Sequence, residues 1–405
     1  MKQQDGRLVA LVASVAVAAV VIGGVLAYQQ TPQQDGTAAA PLPAQTPPST
    51  PSTTPSKTPA PTTPSGTPSS RPTPSSTPSA PSKTPSSSTP PAITGPTSIT
   101  LNAGKLPKGR EPQLPYVIGR EVRGGAGSVR KVPGTDPIYE VGRLDNSALV
   151  VVDKAGQPEL LKIDYESVRR TAGVSSLVTT LDQSAAAYAA VNRDALGNKT
   201  KGGVVYSETG GSVKSLKVPN GYDVRVLAYA GGQVYFRSGE SDGGAWTLYA
   251  WTPGAAKAEA KKVTSPTAVS HDGRFVASAN LVNDAGSCSS IIELATGKQL
   301  WRTCENMVDG FTPDGGTAIG GPAYGDGYCS LEQSALAAGS GRLLREWKGC
   351  FLDVTAEDDQ HFLMVVVVEN QGEENAKRAI VRCNFMTGAC ELATAARTGD
   401  LVLSS

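Results

Sequence analysis

Two interleaved series of turns with one shared period constrain this chain more than any other feature. One series falls at Asp145-Asn146, Asp182-Gln183, Gly231-Gly232, Asp272-Gly273, Asp314-Gly315 and Asp358-Asp359, each between two short β-like runs. A second is centred on glycine, at Gly210, Gly254, Gly297, Gly341 and Gly388, with Gly127 as an earlier copy. Gly, Asn and Asp serve such turns because they tolerate left-handed backbone or bond their own main chain. The stretch 224–265 holds one full unit, with four strands labelled a to d: VRVLAYA, QVYFRS, WTLYAWT and AAKAEAKKV. Four-stranded units of roughly 40 to 45 residues have the period of a β-propeller, one blade per unit.

Six units begin near 139, 174, 224, 267, 309 and 352. Ahead of them, PYVIGREV (115–122) and SVRKVP (128–133) read as a c–d hairpin without its a and b strands. DLVLSS (400–405) reads as a lone a strand, and SITLN (98–102) as a candidate b strand. Joining the two chain ends would complete a further blade and leave no exposed strand edge. The expectation is an all-β propeller over 97–405 with seven blades, six being the alternative.

All six cysteines lie between Cys288 and Cys390, in neighbouring pairs that flank the turns ATGK (295–298), GSGR (339–342) and MTGA (386–389). Residues facing each other across an antiparallel hairpin have numbers with a constant sum. The pair midpoints, 296, 339.5 and 386.5, fall on those turns. This predicts disulfides Cys288–Cys304, Cys329–Cys350 and Cys383–Cys390, and so an oxidising compartment. The spacing in CNFMTGAC (383–390) is too long for a CxxC redox motif, and the six lack the short paired spacing of zinc sites.

The N-terminus supplies a route to that compartment. After a stub at 1–7 carrying Lys2 and Arg7, LVALVASVAVAAVVIGGVLAY (8–28) runs 21 residues without a charge, enough to span a bilayer. The next Lys or Arg is Lys57, so the positive-inside rule predicts a cytoplasmic N-terminus and an extracytoplasmic remainder. The alternative is a signal peptide cleaved near Ala27, with the remainder secreted. Residues 29–96 form a Pro/Ser/Thr tract with little apolar side chain to bury, predicted to be a disordered stalk, with O-glycosylation compatible. Extended at about 3.1 Å per residue, such a stalk reaches on the order of 200 Å.

VSHDGRFVA (269–277) and FTPDGGTAI (311–319) resemble the S-P-D-G-[KR] turn of TolB-like, WD-repeat-like β-propellers. The resemblance covers these two units well, the other four weakly and nothing before residue 97. It implies architecture and carries over no functional residue. ATGKQLWR (295–302) is similar to the TGKxLW turn of quinone-dependent dehydrogenase propellers, in which tryptophans dock neighbouring blades, and GSGRLLREW (339–347) is a looser copy. Those enzymes use adjacent cysteines near the cofactor, and this chain has no Cys-Cys pair, so Trp301 and Trp347 are read as blade-packing residues.

Other chemistry is sparse. The two histidines, His271 and His361, lack a metal-ligand partner at helical or strand spacing, and His271 is read as exposed decoration of an a–b turn. There is no GxSxG, P-loop or HExxH motif. Aspartates and glutamates are scattered through turns, so no catalytic carboxylate pair stands out. With Lys+Arg 37 against Asp+Glu 36, the balance suggests neither nucleic acid nor an anionic membrane surface as partner. The sequence implies no catalytic residue, cofactor or metal.

The b–c loops are the long ones and gather on one propeller face. Their candidate binding residues are Glu240, Asp242, Asp284, Tyr324, Asp326, Tyr328, Glu373 and Glu374. Asn198-Lys199-Thr200, in one of these loops, matches an N-glycosylation sequon. The functional expectation is a monomeric, membrane-tethered binding or scaffold module for a surface protein, peptide or glycan. The alternatives are a sensor component of a membrane complex and a quinone-dependent-dehydrogenase-like propeller enzyme.

Overall fold

The computed structural model describes residues 93–241, 245–283, 286–325, 327–373 and 375–404. Among these it is all β apart from a short 3-10 turn at Ala103–Lys105. The expected stub, the apolar run 8–28 and the tract up to residue 92 lie outside the described residues, as do Asp242, Asp284, Asp326 and Glu374. No helix among the described residues is long and apolar enough to cross a membrane.

The strands form successive antiparallel meanders. Ile138–Leu144, Ser147–Lys154, Gln157–Ile163 and Val168–Ala172 make the first, each strand paired with the next. Three more follow, with inner strands Val174–Thr179, Tyr222–Ala230 and Pro266–Val269. The next two are fused through Leu343–Ala356, whose first part pairs with Ser330–Ala337 and whose last part pairs with His361–Glu369. The final sheet joins the chain ends: Leu401–Leu403 pairs with Tyr116–Ile118, followed by Glu121–Arg123 and Arg130–Lys131. This is a β-propeller in which the C-terminal strand closes a sheet begun by the N-terminal part of the domain.

Two sequence expectations for the closing sheet are corrected. PYVIGREV contains its own tight turn, with Gly119 at φ 64°, so it supplies strands b and c rather than c alone. SITLN is therefore not needed as b. Its Ser98–Thr100 segment instead pairs in parallel with Leu343–Ala356, Ser98 opposite Glu346, as an added edge strand.

Turn chemistry explains the meanders. Gly231 and Gly232 both have positive φ, 56° and 75°, as a two-residue hairpin turn with the right twist demands. In the 312–316 turn, Asp314 Oδ1 accepts hydrogen bonds from the Gly316 N–H at 2.8 Å and the Thr312 hydroxyl at 2.7 Å. Asp272 and Asp182 bond the main chain two residues on in the same way.

Because each sheet lies between two others, both of its faces are buried. Ser147–Lys154 is buried at six consecutive positions, which matches its unbroken apolar run Ala148–Val152. The core therefore lies between sheets: Val178, Ala187, Val191 and Val205 of one unit pack on Val224, Val234, Phe236 and Trp251 of the next. Full burial of one such Val or Phe stabilises by roughly 1.5–3 kcal/mol. Trp301 docks its unit on the following one, with Nε1 donating to the Ala338 carbonyl at 2.6 Å. Gly341, at φ +72°, is doubly required there, since an added Cβ would meet the Trp301 ring at 2.8 Å.

Three disulfides staple these hairpins: Cys288–Cys304, Cys329–Cys350 and Cys383–Cys390, with Cα separations of 4.0, 5.3 and 4.1 Å. Cys383 and Cys390 are directly opposed in the ladder. Cys288 and Cys304 continue the register that sets Ser289 opposite Thr303. Cys329 and Cys350 sit beside a register shift between Ser330 and Glu332.

Two fully buried arginines secure the ends. Arg143 donates from Nε to the Gly124 carbonyl at 2.7 Å and from Nη2 to that of Ser128 at 2.9 Å, tying the first meander to the closing sheet. Arg345 donates to the carbonyls of Thr94, Pro96, Phe385 and Met386. Residues 93–96, which composition groups with the stalk, are thereby held against the propeller.

Candidate functional site

In a meander the inner strand starts at the same end as the b–c loops, and the a–b turns lie at the other end. Groups early in the inner strands therefore face the b–c end of the ring. A cavity of about 930 Å³ opens between these strands, with Glu140, Arg225 and Asp309 in its wall.

Glu140, Asp309 and Asp353 occupy one position of the repeat. Each precedes the a–b turn residue of its own unit, Asp145, Asp314 or Asp358, by five places. Three side chains at this position bond the next inner strand. Glu140 Oε2 accepts the Leu177 N–H at 2.5 Å, and Asp353 Oδ2 accepts that of Leu403 at 3.4 Å. Thr267, at the same place in its unit, donates to the Val308 carbonyl at 2.7 Å.

Asp309 and Asp353 are accessible to water, and Asp309 lines the cavity while Val354 and Thr355, next to Asp353, do so too. Loss of hydration raises the Asp309 carboxyl to about 7, with the Asp353 charge adding to the shift. It raises Asp353 to about 6 against the opposing N–H groups of Leu403 and Val354. Burial raises Glu140 to about 7, opposed by Arg225 and the Leu177 N–H and assisted by Asp353. The three groups can hold or release protons near neutrality, as general acids and bases require. Among the described residues no group of three His, Cys, Asp or Glu is placed to hold a metal ion.

His271 corrects an expectation. It is not exposed decoration but a half-buried residue in the cavity wall, and burial lowers its pKa against the nearby Asp272 charge. His361 stays in its turn, with Nδ1 2.8 Å from Asp358 Oδ1 and Nε2 3.1 Å from Asn384 Nδ2.

Beside the bore, at the b–c end, lies a second cavity of about 430 Å³ lined by Arg193, Lys199, Arg225 and Arg237 together with Asp153 and Asp223. Arg193 and Lys199 come from the loop 192–203. Arg237 ends a b strand and lies over the Trp246 ring, 3.8 Å from its centroid. Arg225 and Arg237 line both cavities, and Arg225 Nη2 lies 3.4 Å from Glu140 Oε1.

The expected loop residues lie elsewhere. Tyr324 and Tyr328 are 54% and 44% exposed, and Tyr328 accepts a hydrogen bond from Arg378 Nη2 at 3.0 Å. Glu240 and Glu373 are exposed. None of these four lines either cavity. The repeat alignment of Glu140, Asp309 and Asp353 was the available signal for the bore, hidden among the turn aspartates.

No protein-family model matches this sequence, and no curated protein matches it. Among solved structures the chain is similar to an uncharacterised protein of Listeria monocytogenes EGD-e, with 11% identity over 66% of this chain and 86% of that one, at TM-score 0.46. It is similar to TolB from Acinetobacter baumannii, with 16% identity over 58% of this chain and 66% of that one, at TM-score 0.37. It is also similar to the β-propeller domain of the Trilobed protease from Pyrococcus furiosus, with 11% identity over 51% of this chain and 67% of that one, at TM-score 0.37. Likeness at this level carries no functional argument, and the propeller assignment rests on the sheets themselves.

Proposed function

We propose that the chain is a membrane-tethered, extracytoplasmic β-propeller of seven blades that acts as a binding or scaffold module for a surface protein, peptide or wall glycan. The single observation that carries this reading is the charged mouth, where basic side chains from separate units stand beside carboxylates at the end with the long loops. A site assembled from several blades is what a propeller offers a ligand. The tether is supported by the apolar run 8–28 with its charge asymmetry, and the compartment by three disulfides. The blade count is supported by the fused pair of meanders and the shared closing sheet.

The test uses the full-length chain in detergent, mixed with envelope extract. Wild type is expected to retain an envelope component that the mouth double variant Arg193→Glu/Arg225→Glu releases. Lys214→Glu, on the exposed outer strand Ser212–Val218, should retain it. Retention by all three proteins, or by none, overturns the reading. Proteolysis of intact cells tests the topology, since an extracytoplasmic propeller is reached by added protease and a cytoplasmic one is not.

A second reading, a propeller enzyme, is favoured by one observation: three carboxyls raised to about 6 or 7 around one bore. It requires a hydrolytic or eliminative activity that Asp309→Asn and Asp353→Asn abolish while the fold is kept.

A further inference from the structure

The basic pocket carries more positive charge than its own carboxylates balance. Four cations, Arg193, Lys199, Arg225 and Arg237, line it against two anions, Asp153 and Asp223. Asp223 is shared by Lys199 and Arg237, the latter at 3.6 Å. Arg225 is turned to Glu140 at the rim. Arg193 donates from Nη1 to the Gly197 carbonyl at 2.6 Å and has no carboxylate partner among the described residues. The Nε atoms of Arg193 and Arg237 have no hydrogen-bond partner although both are closed off from water.

Gathering cations in a half-buried concavity is unfavourable unless a counter-charge occupies it, so such a site selects anions. Arginine suits this role because its planar fork meets a carboxylate or phosphate through two parallel hydrogen bonds. Arg237 holds a fixed positive charge at the site, with its guanidinium over Trp246, Nη1 donating to the Pro266 carbonyl at 3.3 Å and Nη2 beside Asp223. The volume, about 430 Å³, lies in the range of small-ligand pockets.

We propose that this pocket binds a small ligand of monosaccharide size through one oxyanion group, a carboxylate or a phosphate, anchored by Arg193 with the charges of Lys199 and Arg237 assisting. The proposal rests on the binding-module reading and names the ligand chemistry of that mouth. Tyr139, whose hydroxyl donates to Asp153 Oδ2 at 3.3 Å, and Asp153 itself also line the pocket, where ligand hydroxyls would find acceptors.

The experiment is calorimetric titration of the full-length chain in detergent with inorganic phosphate, glucose 6-phosphate, galacturonate and, as neutral control, galactose. At least one anionic probe is expected to bind, galactose to bind at least tenfold more weakly, and added NaCl to weaken the anion. R193Q should lose at least tenfold in affinity with an unchanged thermal midpoint, and K199Q should lose less. Preference for the phosphates or for galacturonate identifies the oxyanion, and either preference supports the proposal. Absence of binding to every anionic probe by folded wild type overturns it, as does equal binding of galactose or unchanged affinity in R193Q. If R193Q loses the probe and still captures an envelope component as tightly as wild type, the wider reading survives without the pocket as its contact. If the probe binds and no envelope component is ever captured, the pocket survives alone.

Discussion

Glu140 Oε1 and Arg225 Nη2 stand 3.4 Å apart although 85 residues separate them in the chain. The pair sits where the bore and the basic pocket meet, since Arg225 lines both cavities. Arg225 holds the Glu140 carboxyl down against the desolvation that raises it to about 7. In return Glu140 engages Arg225, while Arg193 has no carboxylate partner among the described residues.

The acidic bore makes stability depend on pH. Asp309 has its carboxyl raised from 3.8 to about 7. A group raised in the folded state favours folding fully below its unfolded pKa, and that contribution disappears as pH rises through the folded value. Asp309→Asn is therefore expected to unfold at a higher temperature than wild type at pH 8 and at no higher temperature at pH 4. Glu140, Asp353 and Arg225 are present in both proteins, so the difference between the two melting profiles reads Asp309. Parallel profiles across that pH range would show that the bore does not strain this carboxylate.

The staples should matter in proportion to the chain they close. With sequence separations of 16, 21 and 7 residues, each is expected to contribute about 2–3 kcal/mol, with Cys383–Cys390 the least. Replacing Cys288 and Cys304 by serine should lower the denaturant midpoint accordingly. Peptide mapping without reductant should recover the three pairs and no other connectivity. A recovered cross-pair would refute the hairpin arrangement.

Arg345 is expected to lock the leading segment to the propeller. Arg345→Met removes the donor for four buried or half-buried carbonyls, at a cost of at least ~2 kcal/mol in unfolding free energy. Limited proteolysis of the folded variant should cut near residues 93–97 well before wild type is cut. Equal protection would mean that the Ser98–Thr100 edge strand holds the segment by itself.

The turns were legible because their chemistry is local. Asp314 bonds a main-chain N–H two residues away, and Gly231-Gly232 takes a backbone that few other residues accept. The hairpin arithmetic of the cysteines worked for the same reason, since register across a short turn needs only nearby residues. Longer-range pairings were less accessible. Ser98–Thr100 looks like any short strand in sequence, and only the ring supplied its parallel partner in Leu343–Ala356. Loop length and polarity single out Glu240, Tyr324, Tyr328 and Glu373, and those properties report exposure. Neither property reports concavity, and none of these residues lines either cavity.

By itself, the sequence determined the repeat, the strand-turn grammar of each unit and the pairing of its cysteines, because each depends on contacts within one hairpin or one meander. The tertiary structure alone decided what the inner strands bring together. Glu140, Asp309 and Asp353 share a repeat position, but they share a bore only once the ring has closed through Leu401–Leu403 and Tyr116–Ile118. Closure turns one position of a linear repeat into a circle of facing groups. Their charges then act through space across the channel, at distances the order of residues does not encode.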